Sequence, residues 1–288
     1  MTLKEWKNAG KYFDYHGQQI FYRESPPGGE TLLLVHGFPT ASWDWNKIWQ
    51  ELAQDYHLLA PDMIGFGFSD KPSRYDYSIM DQADLHEAFL AEKNIRSVHI
   101  LAHDYGDTVV QEMLARLNER TAKGEEELQL QSVCFLNGGI FPEMHRPRLI
   151  QKLLVSPLGF LLTPFIGRHT LEKNFNTIWG KGKPTAQEID EFYELLTYNN
   201  GKARFHQLIH YITERRRHRN RWVNAVLETT IPLRLINGAL DPISGRHLAE
   251  RYSKLVPEAD VALLEDVGHY PQTEAAAEVL RLYRNFRK

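Results

Sequence analysis

Three residues of this chain have the type and placement for nucleophilic catalysis: Asp104, Asp241 and His269. Asp104 is the centre of Ala102-His103-Asp104-Tyr105-Gly106. This is the small-x-nucleophile-x-small pattern of a sharp strand-to-helix turn, where neighbouring backbone must approach closely. Esterases place serine at such an elbow; an aspartate there can displace a leaving group at a saturated carbon and form an alkyl ester. Water must then cleave that ester. His269 is the expected general base for it, with Asp241 holding the imidazole tautomer and stabilising the imidazolium. The elbow pattern alone is weak, because a carboxylate at a helix N-terminus is often only a cap or a dipole partner. Its weight comes from company, since all three residues follow apolar strand-like runs, in the order nucleophile, acid, histidine.

The elements that must position these residues can be read from periodicity. Residues 97–101 form an apolar, β-branched run, and Val110, Met113, Leu114 and Leu117 recur at helical spacing, so strand, turn and helix surround Asp104. Upstream, 11–15 and 19–23 read as a hairpin around His16-Gly17. Residues 31–35 read as a wholly apolar strand of the kind buried on both faces of a parallel sheet. A helix follows with Trp45, Ile48, Trp49 and Leu52 on one face, where these tryptophans and Trp43 are packing residues. Next come a strand at 56–60, a glycine-punctuated loop at 61–70 and a helix near 78–92.

Downstream, 130–136 is another buried strand, ended by Asn137-Gly138-Gly139. From 140 to about 227 the pattern is helical and irregular, with no convincing strand. Strands return at 232–236 and 261–264 around a helix near 245–255, and the last helix carries Val279, Leu282, Tyr283 and Phe286 on one side. Such alternation, interrupted by a helical excursion, predicts a mostly parallel α/β sheet. In open α/β sheets chemistry gathers at the carboxyl ends of strands, where Asp104, Asp241 and His269 all fall. Asn137, at another strand end, cannot be the anionic partner, which favours Asp241.

Bulk properties exclude several classes. At 288 residues and a net charge of -3, the chain has the composition of a globular protein. Its dense basic run, Arg215-Arg216-Arg217-His218-Arg219-Asn220-Arg221, is local and reads as a solvated helix face rather than a nucleic-acid patch. The single cysteine, Cys134, lies in an apolar run and allows no internal disulfide. The apolar stretch 153–166 is broken by Ser156, Pro157, Gly159 and Pro164, so no integral membrane segment is expected. The start has no apolar leader, and a cytoplasmic location is expected. His206 and His210, four apart, read as structural rather than metal-ligating. No glycine-rich phosphate cradle follows a strand, and no cofactor is expected.

Several segments also resemble a known family: His36-Gly37-Phe38-Pro39, the loop Gly65-Phe66-Gly67-Phe68-Ser69-Asp70-Lys71-Pro72, the elbow His103-Asp104-Tyr105-Gly106, and Gly268-His269-Tyr270-Pro271. Together they resemble the epoxide hydrolase and haloalkane dehalogenase branch of the α/β-hydrolases, across nearly the whole chain. Within that branch, His103-Asp104-Tyr105-Gly106-Asp107, Asn137-Gly138-Gly139-Ile140-Phe141-Pro142-Glu143 with His145-Arg146-Pro147, and Arg221-Trp222-Val223 resemble the mesoderm-specific transcript protein group. The resemblance implies an α/β-hydrolase fold, with a mostly parallel eight-stranded sheet flanked by helices. It implies a core of residues 1–139 and 228–288 and an inserted helical cap of residues 140–227.

It also implies a cofactor-free hydrolase acting on a small apolar or aromatic organic substrate with water, and an oxyanion hole made by the backbone amides of Phe38 and Tyr105. Loss of one such donor typically costs ~3 kcal/mol of transition-state stabilisation. An epoxide oxygen needs an acid when it leaves, supplied in relatives by cap tyrosines. Tyr211 resembles the second of these; residues 151–170 contain no tyrosine for the first, and Tyr193 and Tyr198 fall later. A halide is instead held by N–H donors, commonly a tryptophan after the nucleophile. Tyr105 and Phe38 occupy the donor positions here, leaving Trp179 as the candidate. Epoxide hydrolysis is therefore the first reading and dehalogenation the second, with a weakly active binding or signalling protein on the same fold as a third. Asp107, one turn past Asp104, is stabilised by the helix dipole and adds a second carboxylate that could raise the nucleophile's pKa.

Overall fold

Runs of five to eight residues, too short for stable helices and most of them rich in leucine, valine and isoleucine, become the strands of one eight-stranded sheet. The computed structural model describes residues 1–125, 127–156 and 158–288. Pro157, counted above among the breaks in an apolar run, lies outside the described residues, as does Glu126. The strands are β1 (Lys11–Tyr15), β2 (Gln18–Glu24), β3 (Glu30–Val35), β4 (Tyr56–Pro61), β5 (Ser97–His103), β6 (Gln129–Leu136), β7 (Leu233–Gly238) and β8 (Asp260–Leu264). Their order across the sheet is β1-β2-β4-β3-β5-β6-β7-β8. The β1–β2 and β2–β4 pairs are antiparallel and all others parallel. The hairpin turns through His16 and Gly17, both at positive φ, as a two-residue loop that continues the strand twist requires.

The first helices are α1 (Leu3–Asn8), α2 (Asn46–Leu52), α3 (Ile79–Glu92) and α4 (Tyr105–Lys123). Between β6 and β7 come α5 (Leu149–Val155), α6 (Arg168–Ile178), α7 (Ala186–Thr197), α8 (Phe205–Leu208), α9 (Tyr211–Arg217) and α10 (Arg219–Glu228), with no strand among the described residues. The chain ends with α11 (Arg246–Leu255), α12 (Pro271–Glu274) and α13 (Ala276–Phe286). Helix α1 escapes a periodicity search because six residues are less than two turns. Its signal is local: Thr2 and Glu5 form a capping box, and Trp6 is buried edge-on against Trp43 and Trp49.

The centre of the sheet is dry. Leu32 to Val35 of β3 are fully buried, and their register sets Val35 beside Ala102 and, through β5, His103 beside Leu136. The loops that follow β3, β5 and β6 therefore emerge side by side. Helix α4 starts directly behind β5 and is joined to α10 by a buried carboxylate: Glu112 accepts from Arg221 Nε and Trp222 Nε1, each at 2.7 Å, and from Arg116 Nε at 2.9 Å. That bond set anchors the helices between β6 and β7 to the sheet layer.

Where β5 meets α4, space is the constraint. A Cβ on Gly106 would stand 2.4 Å from the Val35 carbonyl oxygen and 2.7 Å from that of His36. Backbone on both sides leaves neither partner a side chain that can move away. Gly106→Ala is expected to lower unfolding stability by about 1–3 kcal/mol, the usual cost of forcing a methyl group into a packed site. Denaturant titration of the two proteins measures this, and coincident curves would show that the helix can back away freely.

Candidate active site

Asp104 is carried on the turn between β5 and α4 with φ 47° and ψ −103°, a conformation that costs an L-residue energy and is held by its surroundings. Its amide donates to the Leu136 carbonyl at 3.1 Å. Its carboxylate is buried and lies between two sets of partners. The Phe38 amide, supplied by the loop after β3, donates to Oδ2 at 3.2 Å. The Tyr105 amide, first in α4, makes no hydrogen bond to the carboxylate, so one of the two expected backbone donors is engaged here.

On the other side, His269 Nε2 stands 3.9 Å from Asp104 Oδ1, and His269 Nδ1 is 2.8 Å from Asp241 Oδ2. Asp241 also accepts from the amides of Ile243 (2.8 Å) and Ser244 (3.1 Å), from Ser244 Oγ (2.8 Å) and from Asn137 Nδ2 (3.0 Å). Burial would raise the Asp241 pKa, but the charge and hydrogen bond of His269, with the Ile243 amide and the Asn137 side chain, override it and hold it at about 2. For His269, burial lowers the pKa; the Asp241 charge and hydrogen bond, then the Asp104 charge, outweigh it and push it up to about 9. The three residues predicted from strand ends are thus brought together. Asn137, set aside as an acid, supports the one that is present.

Two further groups hold the imidazole and were missed from sequence. His103 Nε2 lies 2.8 Å from the His269 carbonyl oxygen, so that nitrogen carries the proton and donates. Glu274 accepts from the amides of Gly180 (2.7 Å), Gly268 (2.9 Å) and Tyr270 (3.0 Å). The Glu274 side chain therefore ties the His269 loop to the end of α6, and the His269 amide adds a bond to the Ile178 carbonyl at 2.8 Å. No motif announces Glu274; only the close approach at Gly268, where a Cβ would lie 2.3 Å from the Ile178 carbonyl oxygen, explains why its neighbour is glycine.

The basic run is solvated only in part. Arg216 and Arg217 are exposed, Arg219 pairs with Glu143 at 2.6 Å and Arg221 pairs with Glu112. Arg215 is 2% exposed. Its Nε donates to Thr108 Oγ1 at 2.6 Å, and Nη2 donates to the Asp104 carbonyl at 3.1 Å and lies 3.9 Å from Asp104 Oδ1. Nη1 has no acceptor. Helix geometry explains the correction: Tyr211, Ile212 and Arg215 share one inward face of α9, a continuation hidden by the charge of its neighbours.

Asp107 is fully buried with neither carboxylate oxygen hydrogen-bonded. Burial, and then the charge of Asp104, push its pKa well above the usual carboxylate range. Arg215 is the near cation, its Nη2 3.9 Å from Asp104 Oδ1.

A cavity of about 100 Å³ opens onto Asp104, His269 and Phe38. Ile150, Leu154, Ile166, Phe175 and Phe205 give it apolar walls, with Arg148, Gln151, Asn174 and Thr177 as polar neighbours. It is smaller than the roughly 300–1,000 Å³ of sites for drug-sized ligands, which limits the fit to a small molecule. Tyr211 is not among the lining residues; it is buried with its ring 5.9 Å from that of Phe38, which does line the cavity, 4.9 Å from that of Tyr105, and under the Arg215 guanidinium. Burial, then the Asp104 charge, raise the Tyr211 pKa and keep its hydroxyl protonated. Trp179 is not among the cavity-lining residues; its ring stacks on Tyr270 at 5.6 Å. Tyr198 packs on Phe68 and Tyr193 lies near Lys202, and neither lines the cavity. Among the described residues no group of three or more His, Cys, Asp or Glu side chains is placed to hold a metal ion.

Comparison with known proteins agrees with this architecture. The mesoderm-specific transcript homolog protein of Bos taurus is 39% identical over 298 residues, covering 99% of this chain and 88% of that protein. A haloalkane dehalogenase loop variant from Bradyrhizobium elkanii superposes with a TM-score of 0.81 at 20% identity, over 96% of this chain and 95% of that one. An epoxide hydrolase solved without ligand gives a TM-score of 0.75 at 16% identity, over 96% and 97% of the two chains. At such identities the two solved structures speak for the fold alone. Residues 32–282 match the model of the alpha/beta hydrolase family, and the chain belongs to that family.

Proposed function

We propose that this hydrolase works through a covalent ester on Asp104 and that its substrates are small epoxides. The observation that carries the reading is the pair of opposed contacts on one buried carboxylate, the Phe38 amide on Oδ2 and the His269–Asp241 pair facing Oδ1. In the first step an Asp104 oxygen attacks a ring carbon. The carbon–oxygen bond of the epoxide breaks, its electron pair stays on oxygen, and the Tyr211 hydroxyl supplies the proton. The Tyr211 phenolate then takes the proton that His269 carries in the resting protein. In the second step water attacks the Asp104 carboxyl carbon and gives a proton to the freed His269. The resulting oxyanion is held by the amides of Phe38 and Tyr105, and its collapse passes the remaining proton of the water to the leaving alkoxide, releasing the diol and returning Asp104 to carboxylate and His269 to its protonated form. Residues 140–227 act as the cap that closes the site. Dehalogenation ranks second because its candidate donor, Trp179, stacks on Tyr270, whereas Tyr211 packs against Phe38 and Tyr105, the residues on either side of the Asp104 carboxylate.

The electrostatics favour this order of events. While Asp104 is charged, His269 is held protonated by a pKa of about 9. Forming the ester removes the Asp104 charge, which is one of the causes of that elevation, and His269 becomes a better base when a base is needed. Because the folded pKa exceeds the unfolded value of about 6.5, protonated His269 stabilises the fold fully below that pH, and this stability is lost as pH rises through about 9.

Intact mass of His269→Ala after incubation with a mixed panel of epoxides and haloalkanes tests the chemistry. A gain equal to a whole epoxide is expected, absent from Asp104→Ala,His269→Ala. A gain equal to an alkyl group alone would instead establish dehalogenation, and no adduct across the panel would remove the ester mechanism. Turnover by Asp104→Ala is expected to fall by about 10⁴-fold or more.

The coupling is tested by NMR titration of the His269 imidazole. Its midpoint is expected near 9 in the unmodified protein and lower in Asp104→Ala. An unchanged midpoint would mean that the carboxylate does not govern the base.

A further inference from the structure

Large apolar side chains that stay in solvent are concentrated in one stretch. Leu149 (72% exposed), Leu153, Leu158 (64%), Phe160, Leu161 and Phe165 (80%) belong to the outer side of α5 and to the two short turns Gly159–Leu161 and Thr163–Phe165. The inner side of the same stretch, through Ile150, Leu154 and Ile166, lines the cavity over Asp104 and His269. Single exposed apolar residues are ordinary, but a run of them on one segment marks a surface that is covered in use.

Charge selects the cover. Between Glu143 and Glu172 the sequence contains no aspartate or glutamate, and it carries Arg146, Arg148, Lys152 and Arg168. The flanking carboxylates are occupied, Glu143 by Arg219 and Arg251, and Glu172 by Arg168. Arg146, Arg148 and Lys152 are left without an ion-pair partner among the described residues, and Arg146 and Lys152 are exposed. A second copy seated on this face would set these cations against their own counterparts, because a two-fold interface pairs a surface with itself. A bilayer surface with anionic headgroups accepts both features, the apolar side chains at the acyl boundary and the cations at the phosphates. Since no helix among the described residues is long and apolar enough to cross a membrane, such contact is peripheral.

We propose that the outer face of α5 and the turns behind it dock this protein on an anionic lipid surface, placing the wall of the cavity against the lipid phase. An apolar substrate dissolved in the bilayer then reaches the cavity without passing through bulk water. The docking face and the Asp104 chemistry rest on opposite sides of the segment, so either stands without the other.

Co-sedimentation of the full chain with phosphatidylcholine vesicles, with and without phosphatidylserine, tests this. Binding to the phosphatidylserine vesicles is expected, weakened on the order of tenfold or more in Leu158→Ser,Phe160→Ser,Phe165→Ser. In Arg146→Ser,Lys152→Ser the preference for phosphatidylserine over plain vesicles is expected to shrink by roughly tenfold. None of these side chains lines the cavity, and unchanged thermal melting shows that the variants are folded. Failure of the unmodified protein to bind either vesicle would overturn the proposal. So would a dimer on gel filtration that the triple variant converts to monomer, which would make a second copy the cover.

Discussion

The geometry of this protein depends on how closely α4 can approach β3. Gly106 lets the first turn of the helix lie against the carbonyls of Val35 and His36, and that contact fixes the angle at which the chain leaves β5. Asp104 is then driven to positive φ, with its carboxylate projecting beyond the sheet edge rather than into the helix. The loop after β3 can reach it with the Phe38 amide only because the same contact brings β3 and the helix start together. A slightly larger separation would leave the aspartate as an ordinary helix cap.

Around that carboxylate, charge is arranged rather than diluted. Asp241 is ionised because its burial is answered by hydrogen bonds from a histidine, two amides, a hydroxyl and a carboxamide. Asp107 receives no such bonds and is pushed towards its neutral form. Arg215 adds a cation whose position is set by Thr108 and by the backbone of Asp104 itself. Asp241 and Asp107, both buried, thus differ in state because they differ in hydrogen-bond donors, which matter in a dry site.

The strands were legible in the sequence because buried parallel strands leave short, wholly apolar runs, and β3, β5 and β6 lie within one or two residues of where those runs place them. Asp104, Asp241 and His269 were legible because strand ends are. What escaped shares a different character. Arg215 lies in a run of basic residues, and only the phase of a two-turn helix turns it inward. Glu274 works through three amides that belong to other residues, so its own neighbours in sequence say nothing of the role. The assignment of Trp179 as a donor rested on side-chain chemistry, whereas its position at the end of α6 sets the ring against Tyr270.

The Glu274 carboxylate has a mechanical meaning. One side chain grips both the amide just past α6 and the two amides that bracket His269, and the His269 amide itself is held by the last carbonyl of α6. The helices between β6 and β7 therefore cannot swing away at this end without pulling the imidazole off its mark. The end of α6 and the base are held by one set of bonds. If water is activated by His269, as proposed, then a site open to solvent on that side is a site that cannot use solvent, and hydrolysis is confined to the closed molecule.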